Sequence, residues 1–326
     1  MADLKTKYMG LELRSPIIAG SCGLTSDVEK MVEMEKAGVG AVVLKSIFEE
    51  QINEETSGVF KAGYGMGDAY PEAEDYIKAY IRSNTIQKYV ELVRNAKSRL
   101  TIPVIASVNC FSGGEWVSFA RQLEEAGADA LELNVFILPV NEFKESAEVE
   151  NVYFEIVKSI KSQIKIPVSV KISHYFTNLS AFVDKIKAYG ANATTLFNRF
   201  YEPDININTL EMGAASVFST AAELRTTLRW TGILAGKDKK LEISASTGVH
   251  GGEAAVKLLL AGATTVQVCS VLYEKGIHVI EDINNFIGKW MDSKAFKTIG
   301  DYRGMLSYSS IENPDLYERA QFMKYF

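Results

Sequence analysis

Two lysines and three asparagines stand where short apolar runs of this 326-residue chain end. The lysines are Lys45 and Lys171, and the asparagines are Asn109, Asn134 and Asn198. A lysine beside a buried run needs a partner, because an unpaired charge in a low dielectric is costly. Either lysine alone could pair with a rim carboxylate or extend outward to solvent. The two together favour a shared ligand that is anionic or strongly accepting.

A glycine-rich segment adds a signal for phosphate. It runs from Ser244 to Gly252, and a helix is predicted from Glu253. The backbone N–H groups of such a loop, beside a helix N-terminus, favour a phosphate dianion. A plain tight turn would also explain the glycines. Ser270 follows the next apolar run, and the loops after the last two strands of a parallel barrel form its recurrent phosphate site.

A phosphate on one side and lysines on the other predict a ligand as long as a mononucleotide cofactor. Flavin mononucleotide (FMN) meets this description. A lysine near the ring would stabilise the negative charge of its reduced form, and asparagines can bond its pyrimidine edge.

The elements that position these residues repeat four times. In each copy a helix-like stretch ends in glycine and a short apolar run follows, which closes on a polar side chain; the glycines are Gly38, Gly127, Gly190 and Gly262. Glycine supplies the left-handed cap of a helix, and the apolar run is too short for another buried helix. The repetition predicts an α/β protein with a closed parallel (β/α)8 TIM barrel, in which residues at the carboxyl ends of the strands face the active site.

The predicted barrel strands are 16–19, 41–44, 104–107, 130–133, 168–170, 193–197, 241–244 and 265–268. A hairpin turning about Gly10 precedes them. Long loops at the carboxyl face are predicted at 48–80, 134–149 and 198–213. Since no linker interrupts the chain, residues 1–326 are predicted to form a single domain, with the barrel over about 14–289 and the segment 290–326 packed outside it.

Charge and cysteine content exclude several classes of protein. The net charge of −6 is spread over mixed charges, which argues against a nucleic-acid partner. Neither a signal peptide nor a run of about 20 apolar residues is present, so a cytoplasmic protein without a membrane segment is expected. Three cysteines suit a reducing compartment but cannot ligate an iron–sulfur cluster, and no metal site is predicted. An iron–sulfur relay would need another chain.

From about Leu4 to Gly288 the chain resembles the soluble, class 1 dihydroorotate dehydrogenases. The segments that carry the resemblance are Pro16-Ile17-Ile18-Ala19-Gly20-Ser21, Leu44-Lys45-Ser46, Met66-Gly67, Glu132-Leu133-Asn134, Val170-Lys171, Asn198, Ser246-Thr247-Gly248-Val249 and Ser270. The resemblance implies an FMN-dependent oxidoreductase acting on CH–CH groups. Such an enzyme oxidises dihydroorotate to orotate in pyrimidine biosynthesis by hydride transfer to flavin N5, and a homodimer is expected.

The same resemblance implies a set of site residues. Those expected to bind FMN are Ala19, Gly20, Ser21, Lys45, Ser46, Asn109, Asn134, Lys171, Ser246, Thr247, Gly248 and Ser270. Those expected to bind the substrate are Met66, Gly67, Asn134, Asn198 and Arg199. Lys45 and Lys171 would approach the ring as catalytic residues, and Arg199, if it points inward, would bind a carboxylate through two hydrogen bonds.

The chain departs from the family pattern at the catalytic base. The family has Cys or Ser a few residues after the asparagine of the fourth strand, but here residues 134–139 contain no titratable side chain. Cleavage of a C–H bond beside a carbonyl needs a base within hydrogen-bond reach. His174 is one candidate, with an ordinary loop histidine as the alternative; the others are Tyr64, Tyr70, Cys22 and Cys110. A buried cysteine often serves only as a small apolar residue.

The missing base leaves alternatives open. A related FMN oxidoreductase could act on a different CH–CH substrate. A flavin-free, phosphate-binding aldolase or isomerase could use Lys45 or Lys171 as a Schiff-base nucleophile. A third possibility is a flavin-holding subunit with little catalysis of its own. For the oxidoreductase, a soluble acceptor or a partner subunit would receive the electrons.

Overall fold

The computed structural model describes residues 2–48, 71–109 and 113–321. Within them, eight parallel strands close into a barrel, as predicted. In chain order these are β3 (Ile17–Ala19), β4 (Ala41–Val43), β6 (Val104–Asn109), β7 (Ala130–Asn134), β8 (Val168–Ile172), β9 (Ala193–Leu196), β12 (Glu242–Ala245) and β13 (Thr265–Val268). Each strand pairs with the next; Val42 pairs with Val104, and Val268 of β13 pairs with Ala19 of β3, which completes the ring.

Helices surround the barrel. They are α1 (Val28–Lys36), α2 (Pro71–Arg99), α3 (Gly113–Glu125), α4 (Ser146–Lys161), α5 (Leu179–Ala188), α6 (Leu224–Lys237), α7 (Gly252–Ala261), α8 (Ser270–Lys275), α9 (Val279–Ser293) and α10 (Asp315–Glu318). The four glycines of the repeat all have positive φ, which confirms the predicted caps. Helix α2 begins at Pro71, so the end of the loop predicted at 48–80 is helical.

A short antiparallel hairpin closes the amino-terminal end of the barrel. It consists of β1 (Thr6–Tyr8) and β2 (Leu11–Leu13) and turns at Gly10, as predicted. Tyr8, Met9 and Leu13 are buried against the first inward-facing residues of the strands. The Met9 N–H donates to Glu242 at the start of β12. The barrel therefore has a closed floor.

A layer of polar side chains lies inside the barrel above this floor. Glu132 is 1% exposed, and its Oε2 accepts hydrogen bonds from Thr195 Oγ1 at 3.0 Å and from Gln267 Nε2 at 2.8 Å. Buried polar groups persist in a core only when they are hydrogen-bonded. Most polar groups of this layer meet that condition. The acceptors of the layer that lack a hydrogen-bond partner lie close to the functional site described below.

Two further features were not predicted. Strand β5 (Ile47–Phe48) pairs with the end of β6, and an exposed antiparallel hairpin of β10 (Pro203–Asn206) and β11 (Glu211–Ala214) occupies most of the loop predicted at 198–213.

The described part of the segment after α9 packs outside the barrel, with Tyr308 and Tyr317 against glycines of α6. The assignment of the whole chain to a single domain stays a prediction. Among the described residues, no helix has both the length and the apolar character of a membrane span.

Candidate active site at the carboxyl ends of the strands

A cavity of about 340 Å³ opens at the carboxyl face of the barrel, a size typical of small-molecule sites. It brings together many of the residues predicted from the sequence. Those that line it are Gly20, Ser21, Lys171, Asn198, Arg199, Ser246, Thr247, Gly248 and Ser270. The lining also includes Phe197, Ser219, Gln267 and Cys269, which were not predicted as site residues.

Two residues in the loop after β12 have a backbone conformation that residues other than glycine rarely adopt. Thr247 and Gly248 both have φ of +77°. A Cβ at Gly248 would overlap the backbone nitrogen of Leu224, so only glycine fits there. Thr247 carries a β-branched side chain in a conformation that costs about 1–3 kcal/mol, and its Oγ1 donates to the carbonyl of Phe197 at 3.1 Å. Strain of this kind is characteristic of ligand-binding turns.

Two serines stand opposite this loop. The Ser270 Oγ accepts hydrogen bonds from the N–H of Ser219 at 3.0 Å and from its hydroxyl at 3.1 Å. With its acceptor capacity used, the hydroxyl of Ser270 keeps its own proton to donate into the cavity. Ser219 follows the exposed hairpin and not a barrel strand, so its position gave no sequence signal.

His250 contacts these serines at the same end of the cavity. Its Nδ1 lies 3.1 Å from Glu274 Oε2, and its Nε2 lies 3.2 Å from Ser219 Oγ. His250 thereby connects Glu274 to the pair of serines, Ser219 and Ser270, at this end of the cavity.

Lys171 occupies the opposite side. It is 9% exposed, and its Nζ lies 3.9 Å from Glu132 Oε1. This separation gives electrostatic attraction without a hydrogen bond. Glu132 Oε1 has no hydrogen-bond partner among the described residues. The ammonium is therefore held in place with donors free for a ligand.

The asparagines at the strand ends differ from one another. Asn134 is buried, and its Oδ1 accepts from Asn198 Nδ2 at 2.6 Å. Asn109 is also buried, but its Oδ1 has no partner within the described part of the chain, and the same holds for Gln267 Oε1. An unsatisfied buried acceptor costs about 1–3 kcal/mol. Gln267 lines the cavity, whereas Asn109 and Asn134 do not, and the unmatched acceptor of Gln267 fits a bound group that donates a hydrogen bond, such as the ring of a mononucleotide cofactor.

Lys45 is placed differently from Lys171, and its approach to a ligand shared with Lys171 stays a prediction. Its side chain is exposed, does not line the cavity and makes no ion pair with a described residue. Its neighbour Ser46 is buried, and the Ser46 Oγ lies 3.0 Å from Ser21 Oγ and 2.7 Å from Ser107 Oγ. The side chain of Ala19 packs in the main hydrophobic core.

Arg199 lines the cavity with its donors already engaged. Nε donates to Glu223 at 3.0 Å, Nη1 donates to the carbonyl of Val217 at 3.1 Å, and Nη2 lies 3.5 Å from Glu202. The guanidinium thus fixes the segment that follows the exposed hairpin. That it also binds a substrate carboxylate stays a prediction.

His174 lies in the loop after β8. Its ring packs 4.3 Å from Tyr175 and 5.7 Å from Phe197, between ring centroids. Partial burial lowers the pKa of His174, so the imidazole is neutral and able to accept a proton near pH 7. It lines a cavity of about 140 Å³ that shares Asn198 and Thr247 with the larger one. The predicted residues Met66 and Gly67, and the alternative bases Tyr64, Tyr70 and Cys110, lie outside the described residues.

Comparison with known proteins identifies relatives along nearly the whole chain. A family model described as dihydroorotate dehydrogenase matches residues 3–291. Two relatives are named dihydroorotate dehydrogenase B (NAD(+)), catalytic subunit. The one from Thermoplasma acidophilum is 30% identical over 94% of this chain and 99% of its own length. The one from Pyrococcus furiosus is 26% identical over 93% of this chain and 98% of its own length.

Proposed function

Because this chain belongs to the dihydroorotate dehydrogenase family, we propose that it is an FMN-dependent oxidoreductase that oxidises dihydroorotate to orotate in pyrimidine biosynthesis. One observation carries the proposal: a single cavity joins the buried Lys171 to the strained loop at Thr247 and Gly248. FMN bound in this cavity would take a hydride from the substrate at N5.

The phosphate end would hold the cofactor. The N–H groups of Thr247 and Gly248 and the free proton of Ser270 would supply hydrogen bonds to phosphate oxygens, and His250 would hold Ser219 against Ser270. These donors are fixed before the ligand arrives, so little ordering cost accompanies binding.

The ring end would do the chemistry. Lys171 would donate a hydrogen bond to the flavin ring and stabilise the negative charge of its reduced form, and the burial of Lys171 would strengthen that interaction. Glu132 attracts the Lys171 ammonium and holds it in position without taking its hydrogen bonds. Asn134 and Asn198, which bond each other, would bond the polar edges of the ring and the substrate.

For the catalytic base we propose His174. The lowered pKa keeps its imidazole available as a proton acceptor, and its cavity adjoins the one that holds Lys171. A positioned base of this kind contributes about 10²–10⁴-fold to a proton transfer. Residues 134–139, where the family has its base, include Phe136 and Ile137 and no titratable group.

The electrons would leave through a separate acceptor. The relatives named above are catalytic subunits, a name that implies at least one further subunit in those proteins. With three cysteines this chain cannot ligate a four-cysteine cluster, so we propose a soluble acceptor or a partner subunit as the electron acceptor. Free Cys22 and Cys269 support a reducing, cytoplasmic location.

We also propose a homodimer. The hairpin of β10 and β11 exposes Ile205, Ile207, Leu210 and Met212, each by 60% or more of its surface. Clustered apolar surface of this kind is typical of interfaces. Sedimentation of the wild-type chain and of Leu210→Asp would test it; a wild-type monomer contradicts this part of the proposal.

An anaerobic titration of the purified, oxidised protein with dihydroorotate tests the function. We expect the flavin absorption band to bleach in proportion to the substrate added. Intact flavin that does not bleach would favour an FMN oxidoreductase for another CH–CH substrate, which the apolar Phe136 and Ile137 also favour. A colourless protein that borohydride traps with a carbonyl substrate would contradict the flavin assignment altogether.

A further inference from the structure

A single buried carboxylate holds two of the side chains that line the active-site cavity. Glu132 on β7 is 1% exposed. Its Oε2 accepts hydrogen bonds from Thr195 Oγ1 on β9 at 3.0 Å and from Gln267 Nε2 on β13 at 2.8 Å. Its Oε1 lies 3.9 Å from Lys171 Nζ on β8. Of these three partners, Gln267 and Lys171 line the cavity.

The carboxylate fixes the direction of the Gln267 amide. A carboxylate only accepts hydrogen bonds, so the amide nitrogen of Gln267 must face Glu132 and its carbonyl oxygen must face away. Turning the amide over would bring its oxygen against the carboxylate. Gln267 is 2% exposed, and its Oε1 has no hydrogen-bond partner among the described residues. Gln267 therefore presents an acceptor, and not a donor, to the cavity.

Gly20 leaves the space beside this acceptor open. A Cβ at position 20 would lie 3.1 Å from Gln267 Oε1, closer than ordinary van der Waals contact. Gly20 also lines the cavity, and its N–H already donates to the carbonyl of Val268 at 2.9 Å. A buried acceptor without a partner is costly, and a ligand that donates a hydrogen bond to it removes the cost.

Lys171 supplies the opposite kind of group. Its ammonium has only donors, and Glu132 attracts it without taking a hydrogen bond. Gln267 and Lys171 thus offer an acceptor and a donor, each held by one oxygen of the same carboxylate. Such a pair is complementary to a ring in which an N–H stands next to a C=O. Cyclic amides and imides have this edge.

We propose that Gln267 is a specificity-determining residue: its Oε1 accepts a hydrogen bond from a ring N–H of a cyclic amide, while the neighbouring C=O of that ring accepts from Lys171. Glu132 is the positioning residue, because it sets the direction of the Gln267 amide. This recognition rests on the function proposed above. Two rings of that reaction carry the edge, the imide of the flavin and the amides of dihydroorotate, and the two experiments below distinguish them.

The first experiment concerns the flavin. The full-length chain, freed of bound flavin, is titrated with FMN and with 3-methyl-FMN, in which a methyl group replaces the imide hydrogen, and fluorescence quenching gives both Kd values. Wild type should bind FMN about tenfold more tightly, because the methylated ring cannot donate to Gln267. Gln267→Met has a side chain of similar length without the amide, and its two Kd values should agree within about twofold.

The second experiment concerns the substrate ring. Orotate, 1-methylorotate and 3-methylorotate are bound to the FMN-loaded protein, and the change in the flavin spectrum gives each Kd. If this ring donates to Gln267, wild type should bind one methylated derivative about tenfold more weakly than orotate, and Gln267→Met should bind the two alike. Discrimination in the first experiment alone assigns the edge to the flavin, and in the second alone to the substrate.

Thr195→Val is the matched control. Thr195 donates to the same Glu132 oxygen as Gln267 and does not line the cavity. Its loss should lower stability by a similar amount but keep the preference for the unmethylated ring. Gln267→Asn withdraws the acceptor by one methylene group, so it should also lose the preference, and it serves if Gln267→Met folds poorly. Circular dichroism of each variant verifies the fold.

Three results would overturn the proposal. One is a wild-type chain that binds methylated and unmethylated rings equally in both experiments. Another is a Gln267→Met variant that keeps the wild-type preference. The third is a Thr195→Val variant that loses the preference as fully as Gln267→Met, because the effect would then come from packing around Glu132. Tight flavin binding without discrimination contradicts the role of Gln267 alone, whereas a chain that binds neither flavin nor orotate contradicts the proposed function as well.

Discussion

The two ends of the active-site cavity are built in opposite ways. At the phosphate end, Ser219, Ser270 and His250 satisfy one another through a continuous set of hydrogen bonds. At the proposed ring end, Gln267 keeps an acceptor without a partner among the described residues, and so does Glu132, which contacts Gln267 and Lys171. The first arrangement is complete before a ligand arrives, and the second is completed by it. Variants at the ring end should therefore change rates, and variants at the phosphate end should change affinity.

Lys171→Ala is expected to have the largest effect. Removing a buried donor from the site of developing charge should slow flavin reduction by dihydroorotate about 10²–10³-fold. Stopped-flow absorbance under anaerobic conditions measures it. Because the change leaves buried Glu132 without its cation, Lys171→Ala combined with Glu132→Gln controls for stability. An unchanged rate would refute the placement of Lys171 at the ring.

His174→Gln should come next. Loss of the proposed base should slow flavin reduction about 10²-fold while the Kd for FMN stays constant. In the wild type the rate should fall as the pH drops through the pKa of His174, which lies below its ordinary value. The variant should lose this acid limb. If the limb persists in His174→Gln, another group is the base.

Gly248→Ala tests the proposed phosphate end of the cavity without changing a residue at the ring end. The added Cβ meets the backbone of Leu224 at a φ of +77°, so we expect at least about 1–3 kcal/mol of destabilisation and a clear loss of FMN affinity. Gly251→Ala is the matched control, since nothing lies within 4 Å of its Cβ and its φ is 174°. Urea unfolding should place the control within about 0.5 kcal/mol of wild type. Equal losses in both variants would contradict the close-approach argument.

His250→Ala should have the smallest effect and the most selective one. His250 holds Ser219 and, through it, Ser270, so its loss should raise the Kd for FMN about tenfold. Riboflavin, which has no phosphate, should bind the variant and the wild type equally well. Quenching of flavin fluorescence measures both affinities. A parallel loss for FMN and riboflavin would mean that His250 supports the fold and not the phosphate.

The barrel was predictable because its signal is local. Each of the four repeats places a glycine directly after a helix and an apolar run directly after the glycine, and the structure shows positive φ at all four glycines. The exposed hairpin at 203–214 was missed because both of its strands are exposed along their whole length, so no burial periodicity marks them.

The difference between the two lysines also lay outside the sequence signal. Strand β8 extends to Ile172, so Lys171 keeps the inward direction that strand alternation gives it. Strand β4 ends at Val43, and Lys45 therefore lies beyond the alternation and is exposed. Lys45 and Lys171 follow apolar runs of similar length, so the sequence does not distinguish their orientations. The orientations differ because one strand includes its lysine and the other ends before it.

The partners of His250 could not be found by spacing alone. Ser219 and Glu274 lie 31 and 24 residues away from His250 along the chain. Such contacts arise from the order of elements around the ring, which joins the first strand to the last. A histidine within a glycine-rich loop was the one visible signal, and it does not specify its neighbours.

The hairpin that seals the bottom of the barrel has a kinetic consequence. With Tyr8, Met9 and Leu13 filling that end, the part of the chain that the structure describes leaves the carboxyl face as the entrance for substrates. The reductant and the oxidant therefore cannot bind at opposite ends of the barrel, so the first product must dissociate before the second substrate binds. Steady-state measurements should then give parallel lines in double-reciprocal plots.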